Sequence, residues 1–233
     1  DHYKNRSYTL GASLQNNQSL AFNANYQTHW EDLLASNVQL GISQVMSQRS
    51  SIDGNLFIIY NTGYLSNHYQ TILRKFDGDN DGIKESYLSA EQRPEERKGA
   101  GLAANWLVQW TSSLSTHARM RLYQDDWGIN SQTYRGKSYI NLNDQWTLHL
   151  MARLYQQTAA DFYKDPEKSN PEFTITGYGS ADHRVGKYSA NSYELGLAYQ
   201  WQHMLIINGQ VGSYQHSNGF SAYWLSTGII IKY

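Results

Sequence analysis

Several residue types that define common protein classes are scarce or missing in this sequence. It contains no cysteine, which excludes disulfide bonds and thiolate chemistry. Charged residues make up 17% of the chain, below the roughly 25% that is usual for soluble domains. The net charge of −1 gives no basis for binding nucleic acid or an anionic surface. No apolar run approaches the ~20 residues of a membrane-spanning helix.

What the sequence does contain is an unusual share of aromatic residues. They make up 14% of the 233 residues and include 19 tyrosines and 7 tryptophans. A chain that is rich in aromatics and yet hydrophilic, with a mean hydropathy of −0.65, is unusual for a soluble core. The combination is typical of a β-barrel with one face in lipid and the other in water.

Apolar and polar residues alternate with a period of two along most of the chain. In the closing segment, Leu225, Ile229 and Ile231 fall on one face of an extended strand, and Ser226 and Gly228 fall on the other. The pattern predicts about eleven strands, each near the 9–11 residues that a tilted strand needs to cross a bilayer. They span 7–15, 19–30, 37–47, 52–65, 98–110, 114–126, 131–142, 146–155, 189–202, 205–214 and 222–233.

The connections between these strands favour a barrel over a soluble β-sandwich. Short turns are predicted near 16–18, 48–51, 111–113, 143–145 and 202–204, and they alternate with more variable loops, of which two are long, about 66–97 and 156–188. Bacterial outer-membrane barrels have this asymmetry, with short periplasmic turns and longer external loops. We therefore predict an all-β, antiparallel up-and-down transmembrane β-barrel, a single domain over 1–233, surrounded by the lipids of the bacterial outer membrane.

The predicted strand number has a consequence for the completeness of the barrel. Eleven strands that end on the periplasmic side must begin on the outer side, whereas lipid does not tolerate unpaired strand edges. A complete barrel would instead begin on the periplasmic side, so an odd number of further strands is expected before Asp1 or from elsewhere. We therefore expect the chain to be the C-terminal portion of a larger barrel.

Several motifs resemble those of one family of Gram-negative outer-membrane proteins of unknown function. They are GYLSNHY (63–69), EQRPEER (91–97), YQDDWGINSQTY (123–134), QQTAADFY (156–163) and the closing LSTGIIIKY. The resemblance implies a full barrel of about sixteen strands, within the range of bacterial barrels. No activity or catalytic residues are established for the family, so it assigns none to this chain. Family genes often neighbour a small lipoprotein and a periplasmic flavin-transfer enzyme, so it also implies a lipoprotein or an envelope redox protein as a partner.

Basic side chains gather on the predicted inner face of three consecutive strands. These candidate pore-lining residues are His117, Arg119, Arg121, Arg135, Lys137, His149 and Arg153, with Glu194 on a later strand as a counter-charge. One interpretation is the ordinary polar lining of a barrel, balanced by acids elsewhere. The other is the wall of an anion-favouring pore, because Arg and Lys rings in narrow channels select anions.

We predict a channel that passes small solutes and, as the alternative, a plugged scaffold that holds a lipoprotein or redox partner. An enzyme is not expected. His117 and Asp125 lie eight residues apart on one strand, about 26 Å at ~3.3 Å per residue, and no HExxH motif, nucleophile elbow or Gly-rich phosphate loop occurs.

The first long loop contains a candidate calcium site, in the segment DGDNDGIKE. The carboxylates of Asp77, Asp79 and Asp81 follow the D-x-D-x-D-G spacing, and the Ile83 carbonyl and Glu85 fill the next ligand positions. The alternative is a solvated Asp/Gly turn. Leu88 stands at the twelfth position, where a bidentate Glu is usual, so we expect weak affinity, on the order of 10⁻⁴–10⁻³ M.

Calorimetry with Ca²⁺ tests this site. We expect saturable heat from the parent protein and none from the variant Asp79→Ala/Asp81→Ala, because the variant lacks two of three clustered carboxylates. Equal heats from the two proteins would show that the segment is a solvated turn.

Overall fold

The chain folds almost entirely into β-strands. The computed structural model describes residues 6–22, 28–67, 69–77, 82, 84–166, 173–174, 176–201 and 204–231. A single turn of 3-10 helix, His183–Val185, is the one helical element in these ranges. The strands are β1 Arg6–Phe22, β2 Thr28–Ser47, β3 Ser50–Gly63, β4 Thr71–Phe76, β5 Glu85–Ala90, β6 Glu96–Gln109, β7 Leu114–Asp125, β8 Asn130–Asn141, β9 Trp146–Gln157, β10 Tyr188–Trp201, β11 Leu205–His216 and β12 Ser221–Ile231.

Ten of these strands form one antiparallel sheet in which neighbours in the chain are neighbours in space. The order is β1-β2-β3-β6-β7-β8-β9-β10-β11-β12, and β4 and β5 form a separate two-stranded hairpin. This is the predicted all-β, up-and-down antiparallel fold. Within the described residues β1 pairs with β2 alone and β12 with β11 alone, and a closing pair between them is not among the described pairings.

The register places apolar side chains together on one face of the sheet. Leucines are direct cross-strand partners through five consecutive strands: Leu10, Leu40, Leu56, Leu102 and Leu122. Side chains alternate between the two faces of a strand, so this row determines on which face each of the remaining residues of these strands lies. We call the side that carries this row the apolar face and the opposite side the polar face.

The apolar face is exposed instead of packed against a second layer. Leu195 is 48% exposed and Ile229 is 68% exposed, so neither lies between two stacked sheets, as a sandwich would require. All ten strands of the sheet expose at least one large hydrophobic side chain. Soluble monomers rarely expose so continuous an apolar surface, and such a surface marks contact with lipid or with another protein.

Aromatic side chains lie on the apolar face beside the short turns. Trp106 and Trp110 meet edge to face with ring centroids 5.8 Å apart, and Trp146 lies 4.6 Å from Tyr199. Aromatic rings gather at membrane–water interfaces because they join an apolar body to a polar edge. This end of the sheet therefore carries one side of an aromatic girdle.

The first predicted turn is wrong. Asn16, Asn17 and Gln18 lie inside β1 and pair with residues of β2, so the predicted strands 7–15 and 19–30 do not exist as separate strands. The sheet consequently has ten strands instead of about eleven, and β1 runs from the end that carries the short turns. The argument for an odd number of further strands no longer applies, whereas further strands as such stay a prediction.

Both long connections leave from the same end of the sheet. The short connections 48–49, 110–113, 142–145 and 202–204 join strands at one end. The other end carries the loops 64–95 and 158–187 together with the four-residue connections 126–129 and 217–220. The first of these loops is not irregular throughout, because it contains the β4–β5 hairpin, which the sequence pattern did not predict. A helix long and apolar enough to cross a membrane does not occur in the described part of the chain.

Adjacent positions in β11 test the assignment of the two faces. Val211 lies on the apolar face and is half exposed, and Gln210 lies on the polar face. We expect Val211→Arg to lower the free energy of unfolding in lipid by ~2–4 kcal/mol, because it places a charge at mid-membrane depth. Gln210→Arg should cost much less, and equal losses in denaturant titrations of the two variants would contradict the assignment.

Candidate functional site

The predicted pore-lining residues all lie on the polar face. Arg119 of β7 pairs directly with Arg135 of β8, and Arg135 pairs directly with Arg153 of β9. One row nearer the short turns, His117 is opposite Lys137. The same register places these residues on one face: His117, Arg119, Arg121, Arg135, Lys137, His149, Arg153 and Glu194.

The polar face is concave. Arg119 of β7 and Trp224 of β12 line the same cavity of about 500 Å³, together with Arg153 and Glu194. Five strand spacings of ~4.8 Å would separate β7 from β12 by ~24 Å in a flat sheet. Their side chains reach one cavity because the sheet curls around the polar face, as the wall of a barrel does.

The row of three arginines is an electrostatically unusual feature of this face. Like charges on directly opposed residues destabilise a sheet, because their Cβ atoms are only about 4.5–5.5 Å apart. Within the described residues, these side chains form no ion pair with an acid. Glu194 lines the same cavity, and Asp53 of β3 lines a neighbouring cavity together with Arg119 and Arg135. Arg121 lies over the ring of Phe57 at 4.4 Å, and Arg153 over that of Tyr155 at 5.8 Å.

Aromatic stacking organises the part of the face nearer the short turns. The ring of Tyr139 lies between His117 at 5.3 Å and His149 at 6.0 Å, and the Lys137 ammonium lies 5.0 Å from its centroid. The His149 imidazole covers Gly196, where an added Cβ would come within 2.0 Å of the ring. Glycine is therefore needed at 196 for this ring to lie flat against the wall.

Asp125, at the outer end of β7, is held entirely by structural contacts. Its carboxylate accepts hydrogen bonds from the Tyr123 hydroxyl and from the backbone N–H groups of Trp127 and Ile129. The Arg97 guanidinium forms an ion pair with it at 2.6 Å. This carboxylate anchors the turn after β7, and it is not placed to act as a general base.

The described parts of the loops 64–95 and 158–187 pack together into one unit, which we call the loop cap. Backbone hydrogen bonds run in both directions between Gln92 and Gly179, at 2.8 and 3.1 Å. Arg74 is buried between the loops and donates to the carbonyls of Thr174 and Gly177. Covering charged and backbone groups in this way orders loops that would otherwise be solvated.

A buried ion network joins the two loops at the centre of the cap. Arg93 of the first loop lies 2.7 Å from both Glu91 and Asp182, and the side chain of Glu91 is fully buried. Glu91 accepts a hydrogen bond from Ser180 at 2.5 Å and one from the backbone of Asn67 at 2.6 Å. The two carboxylates share one guanidinium, so removing any of the three groups would leave a buried charge uncompensated, which is costly.

Asp182 stays ionised in this network. Burial alone would raise its pKa, but hydrogen bonds from the side chain and backbone of Arg184 and from Arg93 hold the pKa well below its usual range. A carboxyl with a lowered pKa stabilises the fold at every pH above its unfolded value and loses that contribution only as pH falls through the folded pKa. The ion pairs of Asp182 therefore persist through mildly acidic conditions.

The loop cap folds over the outer end of the concave face. Gln157 of β9 points to the polar face, and its amide donates to the carbonyls of Arg184 and Gly186 in the second loop. Trp127 is buried there, under the Arg97 guanidinium at 4.7 Å and against Phe162 at 5.2 Å. The apolar centre of this contact consists of Trp127, Ile129, Ala160 and Val185, with Leu65, Phe162 and Tyr163 packed around it.

Four of the motifs that carry the family resemblance meet in this cap. They supply Leu65 and Asn67, Glu91 and Arg93, Asp125 and Trp127, and Gln157 and Phe162. No local pattern in the sequence assigns these motifs a common place or identifies the 180–184 segment, SADHR, as their partner. The only signal was the density of charge in EQRPEER and SADHR.

The calcium site stays a prediction. Asp79, Asp81 and Ile83 lie outside the described residues, and Glu85 begins β5 as an exposed side chain. Asp77 accepts a hydrogen bond from the backbone of Gly82 at 3.0 Å, and Gly82 has a φ of 83°, a conformation that favours glycine. Within the described ranges no group of three metal-ligating side chains occurs.

The fold and the site together define the class of this protein. An antiparallel meander exposes an apolar outer face, curls around a polar face and carries its long loops at one end, which is the architecture of an outer-membrane β-barrel. The chain belongs to the family described as "Protein of unknown function (DUF3570)", whose model matches residues 2–228.

Comparisons with other proteins add little beyond this membership. No curated protein matches the chain. Among solved structures, it is similar to the CymD monoaromatic hydrocarbon channel, with 9% identity, a TM-score of 0.48, and coverage of 95% of this chain and 69% of that one. It is also similar to the Pseudomonas putida toluene transporter TodX, with 10% identity, a TM-score of 0.43, and coverage of 90% of this chain and 63% of that one. The NanC porin is 13% identical, with a TM-score of 0.37 and coverage of 97% of this chain and 100% of that one. With TM-scores below 0.5, these likenesses carry no argument.

The shared guanidinium of Arg93 tests the loop cap. We expect Arg93→Met to destabilise the cap by about 3–5 kcal/mol, because it leaves buried carboxylates without their partner. Hydrogen exchange at the Gly179 amide, which bonds to Gln92, should accelerate accordingly. The control is Lys98→Met, which removes an exposed ion pair with Glu96 outside this network and should leave exchange at this amide unchanged. Similar exchange rates in the two variants would contradict a network centred on Arg93.

Proposed function

We propose that this protein is an outer-membrane channel whose concave face guides small anionic solutes. The observation that carries the proposal is the row Arg119, Arg135 and Arg153 on that face, whose guanidinium groups form no ion pair with an acid of the described residues. Cationic side chains along a narrow path lower the energy of anions and raise that of cations. The row therefore favours the passage of anions over that of cations.

Placement in the outer membrane follows from the apolar face. Its exposed side chains on all ten strands gain a favourable environment only in contact with hydrocarbon, and the aromatic residues beside the short turns suit the interface. In lipid every backbone N–H and C=O must be paired. The outer edges of β1 and β12 therefore need strand partners in the membrane.

A plugged, non-enzymatic scaffold is the second candidate function. The loop cap favours it, because Gln157, Arg97 and Trp127 connect the loops to the outer end of the concave face. In that role the cap would present a surface for a small lipoprotein or an envelope redox protein, the partners that the family resemblance implies. Calcium bound at 77–85 would order the first loop further.

Conductance in a planar bilayer distinguishes the two functions. We expect discrete current steps from the parent protein and, in a salt gradient, a reversal potential that shows anion preference. In the double variant Arg119→Glu/Arg135→Glu, the reversal potential should move toward cation preference, because two positive charges on the wall become negative.

The matched control is Arg49→Glu, which makes the same charge change in the exposed turn between β2 and β3. Its reversal potential should stay close to that of the parent. Conductance with a reversal potential that none of these changes moves would contradict an anion path along the arginine row. A parent protein that inserts without conducting would favour the scaffold.

A further inference from the structure

The cavity that contains the arginine row has two chemically different walls. Arg119, Arg121, Arg135 and Arg153 of β7–β9 line one side, with Met151 of β9 beside Arg153, and Trp224 of β12 lines the other side. We propose that this cavity is a binding site for an organic oxyanion with a flat apolar body, a proposal that rests on the concave face being the path of the solute. A bare inorganic anion would use only half of this site.

The arginine wall is built to hold an oxyanion. Three guanidinium groups project from directly opposed positions on adjacent strands, so they start within ~5 Å of their neighbours. Each offers planar pairs of N–H donors that match the oxygens of a phosphate or carboxylate. An oxyanion between Arg119, Arg135 and Arg153 would relieve a repulsion for which the described residues supply no paired acid.

The opposite wall is built to hold an apolar body. Trp224 is half buried, and its indole covers Gly212, where an added Cβ would come within 2.2 Å of the ring. Because glycine leaves this space free, the ring lies flat along the wall with its other face toward the cavity. Met151 is buried on the same face. A flat ring of a ligand can stack on such an indole.

Glu194 sets the direction of the ligand. It lies between Met151 and Gly212 in the same cross-strand row as Trp224. Its carboxylate repels an oxyanion at this end of the cavity, so the anionic group binds at the arginines and the apolar body extends toward the indole. The cavity volume of about 500 Å³ lies within the ~300–1,000 Å³ range of small-molecule sites.

The test is calorimetry on the detergent-solubilised protein with three probes: 1-naphthyl phosphate, inorganic phosphate and 1-naphthol. We expect saturable binding of naphthyl phosphate and at least tenfold weaker binding of phosphate. Naphthol should give only the heat that it gives with empty micelles. Since calorimetry needs no current, binding by a protein that does not conduct would overturn the channel and keep the site. Conduction without binding would overturn the site alone.

Variants assign the two halves of the site. Arg135→Gln should weaken naphthyl phosphate binding by roughly ten- to a hundredfold, as expected for the loss of hydrogen bonds to a charged group, and Arg135→Lys should weaken it less. Trp224→Leu should weaken binding of naphthyl phosphate but not that of phosphate. The controls are Arg49→Gln in a turn and Trp110→Leu on the apolar face, and neither should change affinity.

Three results would overturn the proposal. The first is equal binding of naphthyl phosphate to the parent and to Arg135→Gln. The second is phosphate binding as tight as that of naphthyl phosphate. The third is a Trp224→Leu variant with unchanged affinity. Circular dichroism of each variant shows that the sheet has formed, and Arg135→Lys, which keeps the charge, provides the measurement should Arg135→Gln fail to fold.

Discussion

Cross-strand register is the constraint on which the rest of this structure depends. In an antiparallel sheet the side chains alternate with a period of two, so a shift of one residue in any pairing would exchange the two faces. The leucine row through Leu10, Leu40, Leu56, Leu102 and Leu122 and the arginine row through Arg119, Arg135 and Arg153 are consequences of one register. The hydrocarbon that surrounds the first row makes a slip expensive, and the second row is thereby held in place despite its repulsion.

The loop cap solves a different physical problem at the outer end of the sheet. Loops as long as 64–95 and 158–187 lose considerable conformational entropy when they become ordered, and an apolar cluster with buried ion pairs offsets this cost. The ion network of Glu91, Arg93 and Asp182 is specific because each group compensates a charge on another segment of the chain. Its contacts with Gln157 and Trp127 join the cap to the sheet, so the cap and the sheet form one unit.

Features that one strand defines by itself were predicted correctly from the sequence. Features that depend on pairing with a partner strand were not. Asn16, Asn17 and Gln18 have the composition of a turn, yet they continue β1 because Leu34, Leu33 and Asp32 of β2 provide backbone partners for them. The β4–β5 hairpin was not predicted, because its two short strands lie within a polar stretch and are defined by pairing with each other. Asp125 ends β7, and its ion pair with Arg97, 28 residues away, has no local signature in the sequence.

By itself, the sequence determined the class of the fold and the face of each polar-lining residue, because alternation is a local property that needs no knowledge of neighbours. Only the tertiary structure decided which of those residues meet. The direct opposition of Arg119, Arg135 and Arg153, the placement of Trp224 across the cavity from them, and the union of Glu91 with Ser180 and Asp182 depend on pairing and curvature. Pairing and curvature are set by contacts between distant segments of the chain. The free energies of those contacts cannot be read from the order of residues along one strand.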